Sequence, residues 1–138
     1  LDEAPAKSEF IYNNLRASLN ITLTNFKLSE NNTSIKLQDV MINSIETIEK
    51  IGVKNIITKF EKFQTPNKAE GLMIYGSADF PTNKPTEFRK SKYKIFGFIN
   101  DQDYKQIFIS WEENDKYIVE IIDRIVNSIE LVTNNKNL

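Results

Sequence analysis

Residues 93–99 read as a strand that is apolar on both faces. At period two, Tyr93, Ile95 and Ile99 point one way while Phe96 and Phe98 point the other. The pattern recurs nearby, where Leu72 and Ile74 oppose Met73 and Tyr75, and Ile107, Ile109 and Trp111 oppose Tyr104 and Phe108. An antiparallel sheet with one wet face alternates apolar with polar residues instead. Strands of this kind need cover on both sides. The pattern therefore predicts an α+β chain, a three-layer α/β/α sandwich with a mostly antiparallel sheet flanked by helices on both faces.

The helices that would cover it are visible. Ile35, Leu37, Val40, Met41, Ile45, Ile48 and Ile51 recur three and four apart, giving one apolar stripe. Ser34 is placed to accept from the free amides of the first turn, and Gly52 follows as a C-terminal stop, so a helix is predicted over 35–51. A second helix opens at Glu113 or Asn114 and repeats Ile118, Ile121, Ile122, Ile125 and Ile129 on one face. Strands are predicted over 20–28, 55–65, 71–80, 92–99 and 104–111, with a turn over 29–33 and hairpin turns at 66–70 and 100–103. Residues 81–91 carry two prolines and no apolar period, which predicts a loop. Residues 7–19 are expected to form a short helix with Phe10, Ile11 and Leu15 on one side, within an unusual amino-terminal segment, 1–19. Residues 132–138 read as a frayed tail. The expected core includes Ile45, Ile48, Ile74, Phe108, Trp111, Ile118, Ile122 and Ile125.

A length of 138 residues suits one domain over 1–138 and is too short for two. Function is constrained mainly by what is missing. There is no cysteine and no histidine, which removes disulfides, thiolate nucleophiles, imidazole bases and the usual transition-metal ligands together. Net charge is −1 and the isoelectric point about 5.6, so no global positive field gathers nucleic acid. No apolar run approaches the roughly 20 residues of a membrane helix. The polar opening from Leu1 suggests removed upstream residues, among which a secretion signal, a lipid anchor and an expression tag all remain open.

The remaining chemistry is thin. One S-x-x-K spacing joins Ser91 to Lys94, but the catalytic version starts a helix, whereas positions three apart in a strand face opposite sides. Asp101 with Asp103 sits in a turn without the downstream Gly and Glu of a calcium loop. Glu112, Glu113 and Asp115 sit where a helix start favours negative charge. No catalytic, cofactor or metal residue is assigned. The interaction candidate is a basic cluster, Lys84, Arg89, Lys90, Lys92 and Lys94, near Phe88 and Tyr93, able to attract an anion, an acidic partner or single-stranded nucleic acid, with a solvated loop as the plainer reading. Tyr75, Phe96, Phe98 and Trp111 either line a ligand pocket or fill the core, the latter being the commoner fate of aromatics on two-faced strands.

The helix in TSIKLQDVMINSIETIEKIG, the hairpin ITKFEKFQTPNKAEGLMIYGSADF and the close YKQIFISWEENDKYIVEIIDRIVNSIEL together resemble the PsbP-like fold, over about residues 21–131. The resemblance implies an α/β/α domain that binds partners rather than catalysing, as in small exported bacterial domains of unknown role. It carries no functional residue across, since the family has no shared site. The expected function is a noncatalytic, exported or envelope-associated bacterial domain, periplasmic by expectation with the cytoplasm left open, acting by protein contact and with no cofactor. Two alternatives stand beside it: a small apolar-ligand carrier with a pocket between sheet and helix, and an enzyme working with carboxylates alone.

Overall fold

The computed structural model describes residues 6–13, 18–27, 37–100, 103–113 and 117–129. In chain order these form β1 (Ala6–Asn13), β2 (Ser18–Lys27), α1 (Leu37–Lys50), β3 (Lys54–Gln64), β4 (Glu70–Pro81), β5 (Phe88–Asn100), β6 (Asp103–Glu112) and α2 (Ile118–Asn127). The strands make one six-stranded sheet in the order β1-β2-β6-β5-β4-β3, every neighbouring pair antiparallel. The class is α+β.

Local chemistry explains where the elements stop. At the end of α1 the amide of Val53 donates to the Ile48 carbonyl at 3.1 Å, and that of Gly52 to the Glu49 carbonyl at 3.1 Å. This is a Schellman closure, and it needs the positive φ of 105° that Gly52 adopts. The β3–β4 hairpin closes through Thr65. Its amide donates to the Ala69 carbonyl at 2.9 Å, its hydroxyl oxygen accepts from the Ala69 amide at 2.9 Å, and its hydroxyl donates to Asn67 Oδ1.

The two-faced strands divide the core into two clusters. Val40, Met41 and Ile45 of α1 gather with Ile74, Ala78, Tyr93, Ile95 and Tyr104, with Ile48 and Phe108 half-buried against them. Ile118 and Ile122 of α2 gather with Leu19, Phe96, Phe98, Ile109, Trp111 and Ile129, with Ile121 and Ile125 half-buried alongside. The neighbours Ile95 and Phe96 thus belong to different clusters, as period-two alternation requires. A polar link joins α1 to the sheet, where the Ser44 hydroxyl donates to Gln106 Oε1 at 2.6 Å and the Tyr104 hydroxyl donates to the same oxygen.

Three expectations are corrected. The helix over 7–19 is absent: 6–13 form β1 and residues from Ser18 belong to β2, in register from Ala6 opposite Asn25 to Asn13 opposite Ser18. Three apolar residues were a weak helical signal, and pairing with the edge of β2 satisfies the backbone in another way. The loop over 81–91 shrinks to 82–87, because 88–91 pair with 78–81 of β4. The last helix starts at Ile118, after Tyr117, rather than at 113 or 114; Glu113 lies in a turn, and 114–116 lie outside the described residues. Also outside them are the turn over 29–33, the cap at Ser34 and the tail over 132–138.

Candidate functional site

The basic cluster is carried chiefly by the first half of β5. Pairing with β4 sets Lys90 opposite Asp79, Lys92 opposite Ser77 and Lys94 opposite Tyr75, while pairing with β6 sets Lys92 opposite Trp111 and Lys94 opposite Ile109. Alternation then places Lys90, Lys92 and Lys94 on one face and Arg89, Ser91 and Tyr93 on the other. The expected cluster is therefore split. Lys90, Lys92 and Lys94 form a column with about 6.8 Å between successive side chains, Arg89 lies across the sheet, and Lys84 stands apart in the 82–87 loop. A solvated loop describes only Lys84.

Lys90 and Lys92 are exposed and Lys94 is half-buried. Among the described residues none of the three is in an ion pair. Asp79, the acid facing Lys90, accepts from Asn55 Nδ2 at 2.7 Å. The same face continues to Phe88, over whose ring Lys54 Nζ sits 5.0 Å from the centroid. Sequence reading overlooked Lys54 because it joins the patch from β3, through a bulge that shifts register between Lys54 and Ile57.

On the other face Arg89 Nη1 lies 2.7 Å from Glu112 Oε1. This pair borders a cleft of about 260 Å³ lined also by Asn20, Phe80, Ser91 and Ser110. A second cleft of about 470 Å³ lies around Leu37, Phe63 and Gly71. Phe96 and Phe98 are core residues and Tyr75 is half-buried, while Trp111 is buried in the α2 cluster and forms one wall of the smaller cleft.

Ser91 and Lys94 lie three apart on β5, so their side chains leave opposite faces. Glu112 is engaged by Arg89 and Glu113 is exposed, while Asp101 and Asp115 lie outside the described residues. Among the described residues no three acids converge to hold a metal ion. Burial pushes the Tyr93 phenol up to about 12. It pushes Tyr104 well above the usual tyrosine range, against a hydrogen bond with Ser44 that lowers it. Both phenols keep their protons at neutral pH and act as donors. Among the described residues no helix is long and apolar enough to cross a membrane.

No family model matches the chain, and no curated protein matches it. Among solved structures it is similar to a crystal structure of a Pseudomonas aeruginosa protein of unknown function, named there as a proposed regulator. The TM-score is 0.60 at 6% identity, over 96% of this chain and 86% of the other. At that identity the likeness is one of fold.

Proposed function

We propose that the chain is a noncatalytic domain that works by protein contact, docking an acidic, extended segment of a partner along Lys90, Lys92 and Lys94. The observation that carries this reading is the column itself, three lysines on one strand face with no ion-pair partner among the described residues. An extended segment with an acid at every second residue repeats at the same ~6.8 Å, so one carboxylate meets each ammonium. Exposed pairs contribute less than about 1 kcal/mol each, so the contact is weak, reversible and sensitive to salt. An overall charge of −1 supports an acidic protein segment over nucleic acid, which a domain attracts best with a broad positive field.

The three-layer α/β/α arrangement belongs to the same reading. It is supported by α1 packing with Tyr93 and Ile95 while α2 packs with Phe96 and Phe98, on alternate positions of β5. The PsbP-like resemblance remains a reading of the sequence pattern. Envelope association rests on that resemblance alone.

Fluorescence anisotropy with a labelled peptide of alternating Glu and Thr, against its Gln counterpart and a single-stranded oligonucleotide, tests the contact. The Glu peptide is expected to bind, to weaken as salt rises, and to lose about tenfold in affinity when Lys90, Lys92 and Lys94 are all changed to Glu. Equal binding of the Gln peptide, tighter binding of the oligonucleotide, or an unaffected triple variant would overturn it.

A further inference from the structure

We infer that β3 is a self-recognising edge, pairing antiparallel with β3 of a second copy about a two-fold axis at Phe60. β3 ends the sheet, and among the described strands its only partner is β4. Ile57 is 58% and Phe60 42% exposed on it. A long edge with apolar side chains is a ready template for another strand.

The backbone sets which residues bond outward. Thr65 turns its amide to Ala69 across the hairpin, so by alternation Phe63, Glu61 and Lys59 turn theirs toward β4. Thr58, Phe60, Lys62 and Gln64 then turn theirs to the open edge. With the axis at Phe60, the two Phe60 residues exchange a pair of backbone hydrogen bonds, and Thr58 of each copy does the same with Lys62 of the other.

The side chains select this register. On one face Lys59 of each copy meets Glu61 of the other, twice over, and Ile57 meets Phe63; on the other face the two Phe60 rings meet. Moving the axis to residue 59, 61 or 62 sets like charges opposite each other, and moving it to 58 separates both the Phe60 pair and the Lys59–Glu61 pairs. Like charges directly opposite destabilise a strand pair, whereas opposite charges and aromatic pairs stabilise it. Lys59 and Lys62 disfavour unrelated strands, while Glu61 supplies the match that a second copy alone presents in register. An axis perpendicular to the sheet places the Lys90, Lys92 and Lys94 columns of both copies on the same side. One strand pair with its side chains buries less than about 1,200 Å², so the dimer is reversible.

Sedimentation velocity of the full chain, up to about 1 mM, tests this. The wild type is expected to pass from monomer to dimer with concentration. Lys59→Glu alone and Glu61→Lys alone are each expected to stay monomeric. An equimolar mixture of the two regains the dimer, because one copy then carries acids at both positions and the other carries lysines. The double variant K59E/E61K dimerises like the wild type. A monomeric wild type, a dimer indifferent to the single changes, or a mixture that stays monomeric would overturn the inference. The changed residues lie outside the Lys90, Lys92 and Lys94 column, so this result and peptide binding are read separately.

Discussion

The hydroxyl of Tyr93 on β5 donates to the backbone carbonyl oxygen of Ile57 on β3 at 3.0 Å, reaching across β4, which lies between them. Gly76 makes the crossing possible: it stands opposite both Thr58 and Tyr93, and a Cβ there would collide with the Ile57 carbonyl. The bond ties the bulged start of the edge strand to the core. Tyr93→Phe keeps the ring stacked on Phe108, at 6.0 Å and 8° between planes, but leaves that carbonyl without its donor, and is expected to cost about 1–2 kcal/mol. Gly76→Ala should cost more, since the bulge itself must move. Urea unfolding measures both, and a Tyr93→Phe protein as stable as the wild type would show that the bond contributes nothing.

Core and surface positions separate sharply in expected effect. Trp111 and Ile122, 8% and 2% exposed, should each cost about 2–5 kcal/mol when changed to Ala, as cavities in packed cores do. Ile51 and Val119, at 67% and 50% exposed, should change stability by less than about 0.5 kcal/mol. A loss below about 1 kcal/mol at Trp111 would mean that the α2 cluster is not packed around it.

Legibility in the sequence followed the strength of periodicity. α1 could be read because its apolar residues recur at helical spacing and Gly52 supplies a stop whose geometry only a positive φ completes. β4, β5 and β6 could be read because alternate apolar residues serve two clusters at once. β1 was missed because Phe10 and Ile11 are adjacent and fit either element, and only its pairing with β2 decides between them. The start of β5 was missed because Phe88, Arg89, Lys90 and Ser91 carry no apolar alternation and follow the prolines of the predicted loop. The candidate lysines were legible as a cluster in sequence but not as a column in space, which emerges only once Arg89 is turned to the opposite face. Lys54 and the edge properties of β3 depend on strand order, which local spacing does not encode.

Stability should be level between about pH 6 and 8, since the chain has no histidine, and should fall in alkali. Burial holds the Tyr93 phenol up to about 12 and raises Tyr104 strongly, whereas an unfolded tyrosine releases its proton near pH 10. The folded state therefore keeps more protons than the unfolded one above pH 10. The stability these phenols contribute is whole below about pH 10 and is lost as pH rises toward 12. Denaturation midpoints from pH 7 to 11 should fall only at the upper end, and Tyr104→Phe should flatten that fall. An unchanged alkaline slope in this variant would count against burial of the phenol.

The last expectation concerns the polar link beneath α1. Gln106 Oε1 accepts from both the Ser44 and the Tyr104 hydroxyls, and Gln106 and Tyr104 are 8% and 1% exposed. Removing the shared acceptor should therefore be worse than removing one donor. Ser44→Ala leaves Gln106 still bonded to Tyr104 and should cost less than about 1 kcal/mol. Gln106→Leu takes this acceptor from two hydroxyls at once, one of them in the core, and should cost about 2–4 kcal/mol. Removing all three groups together replaces a satisfied polar network with apolar surface of similar shape, which can be close to neutral. The triple variant Ser44→Ala, Tyr104→Phe, Gln106→Leu should then recover most of the Gln106→Leu loss. Chemical denaturation of the single, double and triple variants reads this directly. A triple variant less stable than Gln106→Leu alone would show that Ser44 and Tyr104 stabilise the fold through contacts other than their shared oxygen.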